Sequence, residues 1–154
     1  MESLPNRHLT TLSLHVDFPG IIAIGTTPAG HRAIAPILGG SLVGERLSGE
    51  VLPGGSDWLT TRGQGFDIDV RLALRSDDGA NLALSYQGRF LGGAETMTRF
   101  RNGEQLARDD YSVQVVARFE CGDARYAWLN DAIVVGIGEQ TPRGPSYAMF
   151  EIAR

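Results

Sequence analysis

From Phe66 to Arg75 the chain alternates without a break. Phe66, Ile68, Val70, Leu72 and Leu74 take one parity, and Asp67, Asp69, Arg71, Ala73 and Arg75 the other. Successive side chains of a strand point to opposite faces, so this run reads as a strand with one buried side. Ser76-Asp77-Asp78-Gly79 follows, and Asp-Gly supplies the positive φ of a tight hairpin. Ala80 to Arg89 then returns antiparallel.

The same pattern recurs along the chain. Leu12, Leu14, Val16 and Phe18 alternate with Thr11, Ser13, His15 and Asp17, again a strand. Gly20 to Gly30 carries turn chemistry around residues 21–24. Arg32 to Leu38 is a short strand weakened by Pro36, and Gly39-Gly40 breaks or bends it. Ser41 to Leu52 is extended, with Gly44 and Gly49 inside it, and Pro53-Gly54-Gly55 is a turn. Thr96 to Asn102 is the one expected helix. Tyr111 to Glu120, Tyr126 to Gly138 and Ser146 to Ile152 complete the strands. The total is roughly eight to ten, at the spacing of a sandwich or barrel. Glycine-bent, hairpin-linked strands favour closure, which removes exposed edges. The expectation is all-β: one antiparallel β-barrel domain over residues 1–154 with one short helix.

Composition removes several functions. The 154 residues are 42% hydrophobic, enough for one core. A formal net charge of −4, with no basic stripe, argues against nucleic acid. No apolar run could span a bilayer, and the N-terminus lacks a secretory pattern, so a cytoplasmic address is expected. All 14 basic residues are arginine. Lysine Schiff bases, pyridoxal chemistry and a lysine-bearing phosphate loop are therefore excluded. Single Cys121 allows no internal disulfide and reads as structural. His8, His15 and His31 lack metal-ligand spacing. Ser13, His15 and Asp17 share a strand face but cannot form a relay from one strand. Gly136-Ile137-Gly138 lacks the strand–turn–helix setting of a dinucleotide site. No metal and no cofactor is expected.

Polar chemistry concentrates between Arg118 and Asn130. Arg118 and Glu120 would share one face of a strand, and Tyr126, Trp128 and Asn130 one face of the return strand. Asp69 and Arg71 also share a face. If these faces point outward they are ordinary surface ion pairs, each worth about 0–1 kcal/mol. If they point into a closed sheet they form a small-molecule site.

Three stretches carry a family resemblance: Gly30–Gly40 (GHRAIAPILGG), Leu47–Trp58 (LSGEVLPGGSDW) and Asp69–Gly79 (DVRLALRSDDG). With Arg118-Phe119-Glu120 and Tyr126-Ala127-Trp128-Leu129-Asn130, they resemble the DUF3237 (UPF0311) family over most of the chain. The resemblance implies a compact antiparallel barrel, often dimeric, with polar residues inside. By that likeness Arg32, Asp57, Trp58, Asp69, Arg71, Arg118, Glu120, Trp128 and Asn130 are cavity candidates. Gln114 stands where the family usually has arginine, which implies a less cationic site.

The expected function is cofactor-free enzymology on a small, oxygenated, partly apolar molecule: an isomerase, cyclase or lyase moving a proton. Asp69 or Glu120 would be general base or acid and Asp57 the reserve acid, with Arg71 and Arg118 stabilising charge. Trp128 and Asn130 would position the substrate, with Arg32, Trp58, Gln114 and Tyr126 as further contacts. A non-catalytic carrier barrel would use the same residues. A carboxylate beside an apolar pocket with no neutralising partner favours catalysis; carboxylates fully paired with arginine favour binding. The partner is a small molecule, with no nucleic acid and no membrane, and a homodimer stays open.

Overall fold

The computed structural model describes residues 2–153. The alternating runs become strands β1 (Asn6–Val16), β2 (Ile22–Thr27), β3 (Gly30–Val43), β4 (Gly49–Val51), β5 (Gly55–Arg62), β6 (Gly65–Ser76) and β7 (Asn81–Leu91). After helix α1 (Gly93–Arg101) come β8 (Ser112–Cys121), β9 (Val134–Thr141) and β10 (Gly144–Ile152). No helix among the described residues is long and apolar enough to cross a membrane.

All pairings are antiparallel, and the sheet runs β1-β10-β9-β8-β7-β6 before reaching β3 through β4 and β5. Pairing of β1 with β3 closes an eight-stranded barrel. The first half of β3 lies between β2 and β5, and the second half between β1 and β4. Pro36 and Gly39-Gly40 therefore sit inside one 14-residue strand instead of ending it. The Pro36 carbonyl accepts from the Asp17 amide, while the proline nitrogen needs no partner. Residues 22–27, expected as turn, pair with β3 as a short strand.

Burial follows parity. On β6 the inward set is Phe66, Ile68, Val70, Leu72 and Leu74; on β8 it is Val113, Val115, Ala117, Phe119 and Cys121. Phe66 stacks on Phe90 (4.8 Å between centroids), and Phe90 on Tyr111 (5.1 Å). Each such pair adds about 0.5–1.5 kcal/mol beyond area burial.

One expected strand is helical. Ala124–Asp131 forms two short 3-10 turns that meet at a kink at Tyr126, and β9 begins only at Val134. The Asp123 side chain accepts from the Arg125 amide at 2.9 Å and starts the turn. In a 3-10 helix residues three apart eclipse. Accordingly Leu129 and Ala132 turn toward the core, Tyr126 at the kink packs against it, and Trp128 is exposed. The spacing of two between Tyr126, Trp128 and Asn130 has no structural meaning here.

Candidate active site

The barrel is filled at one end and hollow at the other. Leu12, Leu74, Leu84 and Met149 fill the closed end, where Leu129 of the 3-10 segment joins the core. The open end holds a cavity of about 490 Å³ with walls that include Leu14, Ile37, Phe66, Ile68 and Phe90. Phe100 of α1, with Arg101, Glu104 and Gln105 after it, borders this cavity. The volume suits a small organic ligand. The loop after α1 is tied down: Arg108 Nη1 donates to the Gly138 carbonyl at 2.7 Å, and the Gln140 amide donates to the Tyr111 hydroxyl at 2.7 Å.

Parity on β5 turns Asp57 and Leu59 inward and leaves Trp58 outward. The β5–β6 ladder pairs Asp57 with Val70 and resumes at Thr60 with Asp67. In the gap, the Asp69 amide donates to Asp57 Oδ1 at 3.1 Å instead of to a strand carbonyl. One carboxyl oxygen thus mends the wall. Asp57 makes no ion pair with the described residues. Burial raises its pKa from 3.8 to about 7. The Asp69 amide opposes that rise, and the nearby Asp69 charge adds to it. The residue itself is only partly shielded, with access from the cavity it lines.

Two tyrosines accompany this acid. Tyr86 on β7 and Tyr147 on β10 are 1% and 2% exposed, with rings edge to face at 5.2 Å. Tyr147 lines the cavity. Burial raises both hydroxyls above the ordinary tyrosine pKa, and the Asp57 charge adds to the rise in each; the interaction between the two hydroxyls raises Tyr86 further and partly offsets the rise of Tyr147. By strict geometry the Tyr86 hydroxyl completes no hydrogen bond among the described residues, although the Tyr147 hydroxyl is near enough to act on it. Sequence reasoning passed over both tyrosines. The available signal was their parity, since each carries a hydroxyl on the inward, apolar side of its strand.

The other expected site residues lie outside the lumen. Asp69 and Arg71 occupy the outer face of β6, and Gln114, Arg118 and Glu120 that of β8. The inward positions beside them are taken by Ile68, Val70, Leu72, Val115, Ala117 and Phe119. No ion pair joins Asp69 to Arg71 or Arg118 to Glu120; Asp69 instead accepts from Gln87 Nε2 at 3.4 Å. Arg32 lies over the Trp58 ring at 5.9 Å, and both border a shallow outer groove with Asp69 and Gln87. Trp128 stands under Arg46 at 4.7 Å. The Tyr126 hydroxyl donates to Asp78 at 2.9 Å. Asn130 stitches the closed end: Oδ1 accepts from the Cys121 amide at 2.8 Å, and Nδ2 donates to the Cys121 and Ala127 carbonyls. The expectation that these charged and indole groups look into the barrel is therefore corrected, with Asp57 the exception. No group of three His, Cys, Asp or Glu able to hold a metal occurs among the described residues.

Together these features define a closed antiparallel barrel with a ligand-sized apolar lumen and an unpaired acid in its wall. The chain belongs to the family described as protein of unknown function (DUF3237), whose model matches residues 6–152. A UPF0311 protein of Rhodopseudomonas palustris is 30% identical over 135 residues, covering 87% of each chain. A crystal structure of a conserved protein of unknown function from the same species superposes with a TM-score of 0.90. It is 26% identical, with 99% of each chain covered. A chain described as an enzyme from Penicillium herquei shares the fold, with a TM-score of 0.71 at 18% identity, over 99% of this chain and 97% of that one.

Proposed function

We propose that this barrel is a cofactor-free enzyme that moves a proton on a small, oxygenated, partly apolar molecule held in the lumen, with Asp57 as the acid–base group. Isomerisation, cyclisation, hydration and elimination all belong to this chemistry. The observation that carries the reading is the isolation of Asp57. A carboxyl with no cationic partner, in an apolar wall, titrates near about 7. Such a group takes and returns protons at neutral pH, where an ordinary aspartate stays ionised. The enclosing walls also fix the ligand's conformation and limit water, which favours reactions governed by orientation.

Proton transfer to and from carbon can be tested before any product is identified. Oxygenated metabolites that stabilise the protein thermally are incubated with it in D₂O, and deuterium entering carbon is read by mass spectrometry. Wash-in catalysed by the wild type and abolished in Asp57→Asn is expected. Ligands that bind the lumen yet gain no deuterium beyond the uncatalysed rate would make the barrel a carrier instead. Wash-in undiminished in Asp57→Asn would remove Asp57 from the chemistry.

A further inference from the structure

A base alone does not complete proton abstraction from carbon. The negative charge it creates must be held, and an apolar wall does not hold it. Among the described residues the cavity border offers arginine only at Arg101, an exposed residue at the end of α1. The polar groups near Asp57 are instead two phenols. Tyr147 lines the cavity, and the Tyr86 ring packs edge-on against it. The Tyr86 hydroxyl is fully buried, makes no hydrogen bond of full geometry among the described residues, and acts directly on the Tyr147 hydroxyl. Two buried hydroxyls so placed can share a third oxygen that enters the cavity.

The backbone holds Tyr147 in place. Gly138 faces it across β9, and a Cβ there would fall 2.7 Å from Tyr147 Cε1. The glycine therefore lets the ring lie flat against the wall. Gly136 does the same for Met149, whose sulfur would meet a Cβ at 2.7 Å. The Gly-Ile-Gly run that resembles half a nucleotide fingerprint is in this barrel a seat for inward side chains.

Resting on the reading of the lumen as the active site, we propose that Tyr147 is a catalytic hydrogen-bond donor to a substrate carbonyl oxygen. Tyr86 is its positioning residue, and the substrate is a neutral, enolisable carbonyl compound. Neutrality follows from the charges: Asp57 has no ion-pair partner among the described residues, and the one described arginine of the lining, Arg101, is exposed at the end of α1, so a carboxylate beside Asp57 would be repelled. The step balances without a co-reactant. The Asp57 carboxylate takes a proton from the carbon next to the carbonyl. The C–H electron pair becomes the new C=C bond, and the carbonyl π pair moves onto oxygen, where the Tyr147 hydroxyl stabilises it. The Asp57 carboxylic acid then returns the proton to another carbon or to an oxygen.

Phenolates mimic the enolate in shape and charge, so 4-nitrophenol is the probe and naphthalene the neutral control. Asp57→Asn stands in for the protonated acid and removes the repulsion. In that background 4-nitrophenolate is expected to bind, with the apparent pKa of the bound phenol, read from its visible absorbance, lowered. Adding Tyr147→Phe should weaken phenolate binding about tenfold and raise that bound pKa by about one, the equivalent of a tenfold change. Naphthalene affinity should not move. Tyr86→Phe, a second and independent variant, should shift the bound pKa in the same direction by less. Phenolate affinity and bound pKa unchanged in both variants, with naphthalene still bound, would overturn the tyrosine assignment and leave the lumen reading intact. Failure of naphthalene to enter any of the proteins would overturn the lumen reading itself, and this inference with it.

Discussion

Replacing Asp57 with asparagine should stabilise the protein, and the gain should depend on pH in one direction only. From 3.8 to about 7 is a span of roughly three in pH. At about 1.36 kcal/mol for each, the folded state penalises the carboxylate by ~4 kcal/mol. Water in the cavity screens part of this, so ~2–4 kcal/mol is the expected range. The sign follows from proton counting. Between the two pKa values the folded protein holds a proton that the unfolded chain has released. The Asp57 contribution to wild-type stability is thus most favourable below about 4, falls as pH rises, and levels off above about 7. Asparagine keeps an oxygen for the Asp69 amide but carries no charge to bury. Urea unfolding of both proteins at pH 4, 6 and 8 measures the difference. It should be near its minimum at pH 4 and full at pH 8, where it corresponds to roughly 5–15 °C in Tm for a chain of this length. Parallel stability profiles across that range would show that Asp57 is not desolvated, and the acid–base argument would fail with it.

Further outcomes follow from the same geometry. Glu120→Gln and Arg71→Ala, on outer faces, should change stability by no more than about 0.5 kcal/mol and leave ligand-induced thermal shifts intact. Asn130→Ala should cost ~2–3 kcal/mol in urea unfolding, because it strips hydrogen bonds from the Cys121 and Ala127 backbone, while lumen binding is retained. Phe90→Ala should cost ~3–5 kcal/mol by opening a void within the stacked rings, measured the same way. Gly88→Ala should fail to give a native circular-dichroism spectrum or unfold well below the wild type. Its Cβ would lie 1.9 Å from the Gln114 carbonyl oxygen, which the β7–β8 ladder holds in place.

The fold was legible because its signal is local. Phe66 to Arg75 alternates in sequence and in burial, and Asp78-Gly79 turns the chain where the hairpin needs it. Where a tertiary constraint overrode local preference, the reading failed. Pro36 looks like a strand breaker, yet β2 and β5 flank that half of β3 and carry it through. Residues 124–131 look alternating, yet the Asp123 cap and the burial of Leu129 select two short 3-10 turns kinked at Tyr126.

The site was less legible for a related reason. Clusters of charge attract the eye, but in a barrel the charged parity is the wet parity, and alternation itself assigns Asp69, Arg71, Arg118 and Glu120 to solvent. The better rule inverts the search: on each strand, find the polar group that occurs on the apolar parity. On β7 that rule selects Tyr86 among Leu82, Leu84 and Phe90, and on β10 it selects Tyr147 beside Met149. On β5 it selects Asp57 with Leu59, opposite the exposed Trp58. A polar atom placed there loses water on folding, and only a function or a partner offsets that loss. In this chain three such residues converge beside one cavity, although their strands are far apart in sequence. That convergence is a property of the closed sheet, and no local pattern encodes it.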